Sequence, residues 1–235
     1  MKRLCLFIIM LVFFISSGMV YADPIKSKEM VKNIQWLGHD TFRISADKNI
    51  YIDPFKIKNK DSADLILITH GHHDHCSPDD IAKITGPNTM IITPPSCAEK
   101  IKGNIKVVKR QDNIEINGVD IEVVPAYNVD KQYHPKTADG VGYILNIKGV
   151  RIYHAGDTDR IPEMKGFRKI GIALLPVSGK YVMTAEEAVL AAMDIKPHIA
   201  IPMHYGTIIG SVSDAQRFAQ ALKGKVEVII LKEEQ

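Results

Sequence analysis

The segment Thr69-His70-Gly71-His72-His73-Asp74-His75 follows directly on the apolar run Leu65-Ile66-Leu67-Ile68. An unbroken apolar run of that length fits a strand buried on both faces. A strand that ends in H-x-H-x-D-H turns several imidazoles and a carboxylate towards one small volume. Neutral imidazole nitrogens and carboxylate oxygens are the donors Zn2+ accepts. The fold must therefore place this strand end at a site. His70, His72, Asp74 and His75 are the first metal-ligand candidates. His73 alternates to the other side of an extended loop and is expected at the surface.

Four donors cannot easily all serve one catalytic ion and leave a coordination position open. Two further segments supply donors at strand ends beside glycine: His154-Ala155-Gly156-Asp157-Thr158 and Pro202-Met203-His204-Tyr205-Gly206-Thr207. A bridging carboxylate from Asp157 and an imidazole from His204 would complete a two-metal site.

Short apolar runs alternate with Gly, Pro, Asn and Asp turns along the rest of the chain. Residues 34–37 and 41–44 read as a hairpin around Gly38-His39-Asp40, and 49–52 as a strand ending at Asp53-Pro54. Ser77-Pro78-Asp79-Asp80 has the N-cap, first-turn proline and early acids of a helix start. Strands are expected at 89–93 and 105–109, with a helix from about Ser96 between them. Residues 114–116 pair with 119–124 across Asn117-Gly118, a type I′ turn signal, and 141–147 pair with 150–154 across Lys148-Gly149. Strands at 172–177, 199–203 and 226–231 alternate with helices at 184–195 and 213–222. Hairpin-rich β segments with intervening helices imply an α+β chain of two sheets with helices packed outside them.

The amino terminus is a separate unit. Lys2-Arg3, an apolar run to Ile15, and small residues at Val20 and Ala22 describe a secretory leader over 1–22, followed by one domain over 23–235. The apolar run is short for a membrane span, so no stable membrane insertion is expected after cleavage. The expected location is exported, periplasmic or secreted. Removing Lys2 and Arg3 changes 30 basic against 27 acidic residues to 28 against 27. A near-neutral domain has no electrostatic footprint for nucleic acid, and the expected partner is a small-molecule substrate. An oxidising compartment permits a Cys76–Cys97 bridge, but two separate half-buried thiols are the expectation here.

Trp36-Leu37-Gly38-His39, Ile52-Asp53-Pro54-Phe55, the H-x-H-x-D-H loop, Gly156-Asp157-Thr158 and Pro202-Met203-His204-Tyr205-Gly206 together resemble the metallo-β-lactamase fold superfamily. Within it, the chain is similar to metal-dependent hydrolases related to the ascorbate-6-phosphate lactonase branch. The similarity runs from about residue 31 to residue 231. It implies an αββα four-layer sandwich with the site at one edge of the paired sheets. It further implies that His70 and His72 bind a first metal, that Asp74, His75 and His204 bind a second, and that Asp157 bridges them. One position departs from the pattern, because Asn128 stands where the superfamily usually supplies a third imidazole to the first metal. Either His134 reaches in from further along that loop, with Asn128 lining the site, or the first metal is held by fewer histidines.

The activity so implied is hydrolysis of a lactone, a phosphodiester or another ester or amide by metal-activated water or hydroxide. The cofactor is two divalent ions, Zn2+ foremost, with Mn2+ or Fe favoured if first-site ligation is weak. Asp74 is the candidate catalytic residue, both ligand and proton acceptor. An exported metal-binding module without turnover, or a β-lactamase, are the alternatives, since a fold does not fix a substrate. His39 is either an outer contact of the site or a packing residue. Asp53 either orients a ligating histidine or forms a turn. Lys180, in the loop Ser178-Gly179-Lys180-Tyr181, either grips an anionic substrate group or is solvated.

Overall fold

Asp23 opens the chain's first helix. Its carboxylate accepts the N–H groups of Ile25 and Lys26, and Pro24 starts α1 (Pro24–Val31). The Asp-Pro pair is an N-terminal helix signal, yet α1 was not among the expected elements. The computed structural model describes residues 22–58 and 61–234, so the expected leader lies outside the described residues apart from Ala22. Among the described residues no helix is long and apolar enough to cross a membrane.

Six strands form the first sheet in chain order: β1 (Ile34–Trp36), β2 (Phe42–Ser45), β3 (Asn49–Ile52), β4 (Ala63–Leu67), β5 (Thr85–Thr93) and β6 (Asn104–Val107). Seven form the second: β7 (Asn113–Ile116), β8 (Val119–Pro125), β9 (Val141–Ile147), β10 (Val150–His154), β11 (Ile170–Pro176), β12 (Ile199–Met203) and β13 (Glu227–Val228). The period of two sorts side chains between layers. Ile50, Ile52, Leu65, Leu67 and Ile92 join the large core that the second sheet shares. Their neighbours Tyr51, Ile66, Ile68 and Ile91 pack on the opposite face with Ile81 and Ile84 of α2 (Pro78–Ile84) and with Cys97 of α3 (Pro95–Ala98). Each such fully buried Ile or Leu contributes roughly 1.5–3 kcal/mol.

On the far side, α1 packs on β10 and β11, α4 (Ala185–Ile195) on β11, and α5 (Val212–Leu222) on β12 and β13. Every residue of β11 is buried, as a strand covered on both faces requires. The result is the expected α+β four-layer αββα sandwich.

The turn chemistry follows the sequence. Asn117 and Gly118 adopt φ +54° and +81°, and Lys148 and Gly149 +52° and +78°, the positive pairs of type I′ hairpins. Thr184 closes a capping box with Glu187 at the start of α4. Differences lie at element ends. β5 begins at Thr85 rather than 89, α3 is only four residues long, and β13 keeps two residues of the expected 226–231. The last strand is an edge held by β12 alone, and the segment after it crosses to β1, where the Glu234 N–H donates to the Trp36 carbonyl at 2.8 Å.

The expectation of two separate thiols is overturned. Cys76 and Cys97 are joined as a disulfide, with Cα atoms 6.0 Å apart. Burying the loop after β4 and helix α3 against one sheet face brings both residues into the same cluster.

Candidate metal centre

Strand direction gathers the site. β1 and β3 both run antiparallel to β2, and β4 runs parallel to β3. In the other sheet β8 and β10 flank the antiparallel β9, and β11 and β12 run parallel to β10. Within each sheet these strands therefore share a direction. Their carboxyl ends carry His39 and Asp40, Asp53, the His70–His75 loop, Asn128 and His134, Asp157, Ser178 and His204. Glycine makes the close approach possible at Gly156. It sits at φ +62°, and a Cβ there would lie 2.9 Å from the Val141 carbonyl oxygen and 3.0 Å from Thr69 Cβ.

Two donor clusters result. In the first, His70 Nε2 and His134 Nε2 each lie 3.0 Å from His72 Nδ1. That is near the edge length of about 3.3 Å of a tetrahedron with Zn–N bonds of about 2.05 Å. In the second, His75 Nε2 lies 3.4 Å from Asp157 Oδ1 and 3.7 Å from Asp74 Oδ2, and His204 Nε2 lies 3.3 Å from Asp157 Oδ2. Asp157 Oδ2 is also 3.3 Å from His134 Nε2, so this one carboxylate touches both clusters. His75 Nε2 and Asp157 Oδ1 are buried and have no hydrogen-bond partner. Buried polar atoms left unpaired are costly, and convergent lone pairs of this kind fit divalent cations.

The ring nitrogens facing away explain why Nε2 is presented. His75 Nδ1 donates to Asp53 Oδ2 at 2.8 Å, and His134 Nδ1 donates to the Tyr181 carbonyl at 3.2 Å. Ser178 Oγ lies 2.8 Å from His204 Nδ1. His70 Nδ1 is 3.1 Å from Thr69 Oγ1, whose hydroxyl donates to Asp53 Oδ2 at 2.6 Å. An Nδ1–H so engaged leaves the Nε2 lone pair for an ion. Asp53, fully buried, thus steers one imidazole in each cluster.

The carboxylates make the centre's field negative. Burial alone would push Asp157 upward, but the imidazoles of His204 and His75 hold it well below the usual carboxylate range. Burial pushes Asp74 upward too, but the His39 hydrogen bond together with the charges of His75 and His39 holds it low. Burial opposes charge on His204, yet Asp157 and Asp40 push it up to about 9. His75 rises well above its ordinary value against the same burial, through Asp157 and Asp53. His70 falls well below, driven by burial and then by His75. A cluster that raises two buried imidazoles favours positive charge at its centre.

His134 lies with His70 and His72 in the first cluster, the position one of the two alternatives raised by Asn128 requires. Asn128 does not replace it as a donor: its amide donates to the Tyr133 and Tyr181 carbonyls at 2.8 and 2.6 Å and braces the turn that carries His134. His39 is buried, with Nε2 3.1 Å from Asp74 Oδ2. His154 is a satisfied core residue, bonded to the Asp40 carbonyl and to the Gly156 N–H. His73 is exposed, as expected. Lys180 is not brought in; it is exposed, with its ammonium 5.0 Å from the Tyr181 ring centre.

Two contributors carried no local signal. Asp40 reads as a turn residue, yet it lies beside His75, Asp157 and His204. Arg110 sits in an unremarkable polar stretch, but its guanidinium donates to the carbonyls of Ala126, Lys136, Ala138 and Gly140 at 2.7–3.1 Å. It pins the loop that delivers His134. Beside the first cluster lies a cavity of about 260 Å³, walled by Ser96, Lys100, Ala126, Ala138 and Val141.

Similar folds are known. A protein from Parabacteroides distasonis described as a metal-dependent hydrolase matches with a TM-score of 0.77 at 37% identity, over 86% of this chain and 93% of that one. Igni18, a metallo hydrolase from Ignicoccus hospitalis, matches with a TM-score of 0.73 at 25% identity, over 86% and 95%. The Beta-lactamase superfamily domain matches residues 33–204. Fold and donor set define a class, the metal-dependent hydrolases of the metallo-β-lactamase fold. A UPF0173 metal-dependent hydrolase of Pyrococcus abyssi is 35% identical over 219 residues, 86% of this chain and 97% of the relative. The chain belongs to this UPF0173 family of metal-dependent hydrolases.

Proposed function

We propose that the chain is a dinuclear hydrolase of small lactones, phosphodiesters or related esters and amides. In this reading His70, His72 and His134 hold the first ion, Asp74, His75 and His204 the second, and Asp157 bridges. The observation that carries it is the reach of Asp157 Oδ2, 3.3 Å from a nitrogen in each cluster. When bound, such ions polarise the scissile carbonyl or phosphoryl oxygen and acidify water. The three-imidazole cluster suits Zn2+, with Mn2+ or Fe as alternatives.

The chain's own groups do the rest. Asp74 is fixed by His39 and keeps 27% side-chain exposure, so a carboxylate oxygen can accept the proton of an attacking water. The cavity beside the first cluster suits a small substrate, and the Lys100 ammonium at its wall can pair with an anionic group on it. The lactonase-branch resemblance favours lactones among the candidates. Export through the leader fits the Cys76–Cys97 disulfide, which an oxidising compartment preserves; fractionation of cells making the full chain tests this separately.

Elemental analysis of the purified protein, with a turnover screen on lactones, phosphodiesters, thioesters and amides, tests the reading. Two ions per chain and hydrolysis of at least one class are expected. His72→Ala and Asp157→Ala should each lose metal and turnover together. Full metal content and full turnover in both variants would refute the assignment.

A further inference from the structure

Asp40 is the anomaly of the site. Its side chain is fully buried, and neither carboxylate oxygen has a hydrogen-bond partner. A carboxylate buried with no donor cannot stand alone; it must take up a proton or meet a cation. Yet Asp40 is held firmly, in the turn between β1 and β2, by flanking hydrogen bonds. The Asp40 carbonyl receives His154 Nε2 at 2.9 Å, and the preceding His39 carbonyl receives the Trp36 indole N–H and the His204 N–H at 2.9 and 3.0 Å. The backbone is built to keep the carboxylate in place.

Its surroundings supply the reason. One oxygen atom of Asp40, one of Asp157 and one nitrogen each of His75 and His204 all lie within 4.8 Å of one another, and all four residues are buried. Asp40 Oδ2 is 3.8 Å from His75 Nδ1, too far for a hydrogen bond. The four unpartnered atoms Asp40 Oδ1 and Oδ2, His75 Nε2 and Asp157 Oδ1 belong to this one neighbourhood. Charge balance points the same way. Asp40, Asp53, Asp74 and Asp157 have only histidines as ion-pair partners among the described residues. With neutral imidazoles the four carboxylates carry −4, which two divalent ions match.

We propose that Asp40 is a further ligand of the second ion, which makes the two sites chemically unlike. The proposal rests on the dinuclear reading above. The first site offers three imidazoles and a shared carboxylate, a Zn2+ donor set. The second offers Asp40, Asp74, Asp157, His75 and His204, three carboxylates to two imidazoles. A donor set that is richer in oxygen and more numerous suits an ion of the Mn2+ class, which takes oxygen ligands at higher coordination number. Asp40 thereby sets metal selectivity at the second site alone.

The test is Mn2+ and Zn2+ titration of metal-stripped full-length protein, followed by elemental analysis and thermal unfolding, for wild type, Asp40→Asn, Asp40→Ser and His204→Ala. Asp40→Asn conserves volume, so its folding is not at stake. Both Asp40 variants are expected to weaken Mn2+ binding at the second site by about tenfold or more, at least the effect of losing an outer partner. Zn2+ at the first site should be unchanged, and the thermal stabilisation that Mn2+ confers should shrink. Wild-type Mn2+ affinity in Asp40→Asn would overturn the proposal, since an uncharged amide would then serve as well as the carboxylate. His204→Ala separates the two levels. If wild type takes up only one ion, or His204→Ala binds the second ion as tightly as wild type, the second site of the dinuclear reading itself fails. If His204→Ala loses the second ion while both Asp40 variants bind Mn2+ like wild type, only the role of Asp40 fails.

Discussion

Replacing Asp53 by Asn should disable both donor clusters without emptying the core. Asp53 accepts three hydrogen bonds in a fully buried position: Thr69 N–H at 2.7 Å on Oδ1, and Thr69 Oγ1–H at 2.6 Å and His75 Nδ1–H at 2.8 Å on Oδ2. An asparagine of the same shape keeps its amide oxygen on the Thr69 N–H. Its NH2 group then replaces Oδ2 and faces two donors. The His75 ring must move its proton to Nε2, where the lone pair for an ion had been. The Thr69 hydroxyl must turn round to accept from the amide, and its bond with His70 Nδ1 at 3.1 Å reverses or breaks. Loss of such outer partners lowers metal affinity by about 10–100-fold, or about 1.4–2.8 kcal/mol for each ion. Chelator-competition titration with Zn2+ measures this, with circular dichroism of the stripped protein as the folding control. Thr69→Val provides the contrast. It removes the link to His70 but leaves the Asp53–His75 bond, so only the first cluster should weaken. Wild-type affinity for both ions in Asp53→Asn would refute the reasoning, and so would equal weakening of both clusters in Thr69→Val.

Arg110→Gln should release the loop spanning 126–140 and weaken the first cluster, through His134, by about tenfold or more while sparing the second; two-step metal titration separates the sites. Asp80→Ala should destabilise the fold by about 2–4 kcal/mol in chemical denaturation at pH 7, because it strips a buried acceptor from the N–H groups of Lys56 and Ile57. Burial pushes the Asp80 carboxyl up, but Lys83, Ser77 and the Lys56 N–H together hold it below 3.8. The gap between wild type and variant should therefore be complete above about pH 4 and close as acid protonates the folded carboxylate. Reduction of Cys76–Cys97, which spans 21 residues, should lower stability by about 3 kcal/mol on chain-entropy grounds; denaturation with and without reductant measures it.

Much of the site was legible because its chemistry is local in sequence. His70, His72, Asp74 and His75 lie within one turn, and Asp157 and His204 each follow an apolar strand beside a glycine. Strand period and turn chemistry identified the hairpins and the two-sheet plan. The residues that escaped act across the fold. Arg110 binds carbonyls 16–30 residues away, and no spacing rule connects it to His134. The disulfide depended on two segments packing against one face of the first sheet. Helix α1 carries an Asp-Pro cap, but only Ser27 and Met30 of its eight residues are buried, too few for an apolar stripe to show in the sequence.

The sequence by itself determined which donors exist and that strands deliver them, because side-chain type and strand period are properties of neighbouring residues. Only the tertiary structure decided which donors meet. His134 reaches His72 across 62 positions of chain, and Asp157 lies between imidazoles from different loops. Asp40 passes from turn former to buried carboxylate only when the two sheets close over it. Strand direction and layer packing make those contacts, and both are set by pairing between segments far apart in the chain.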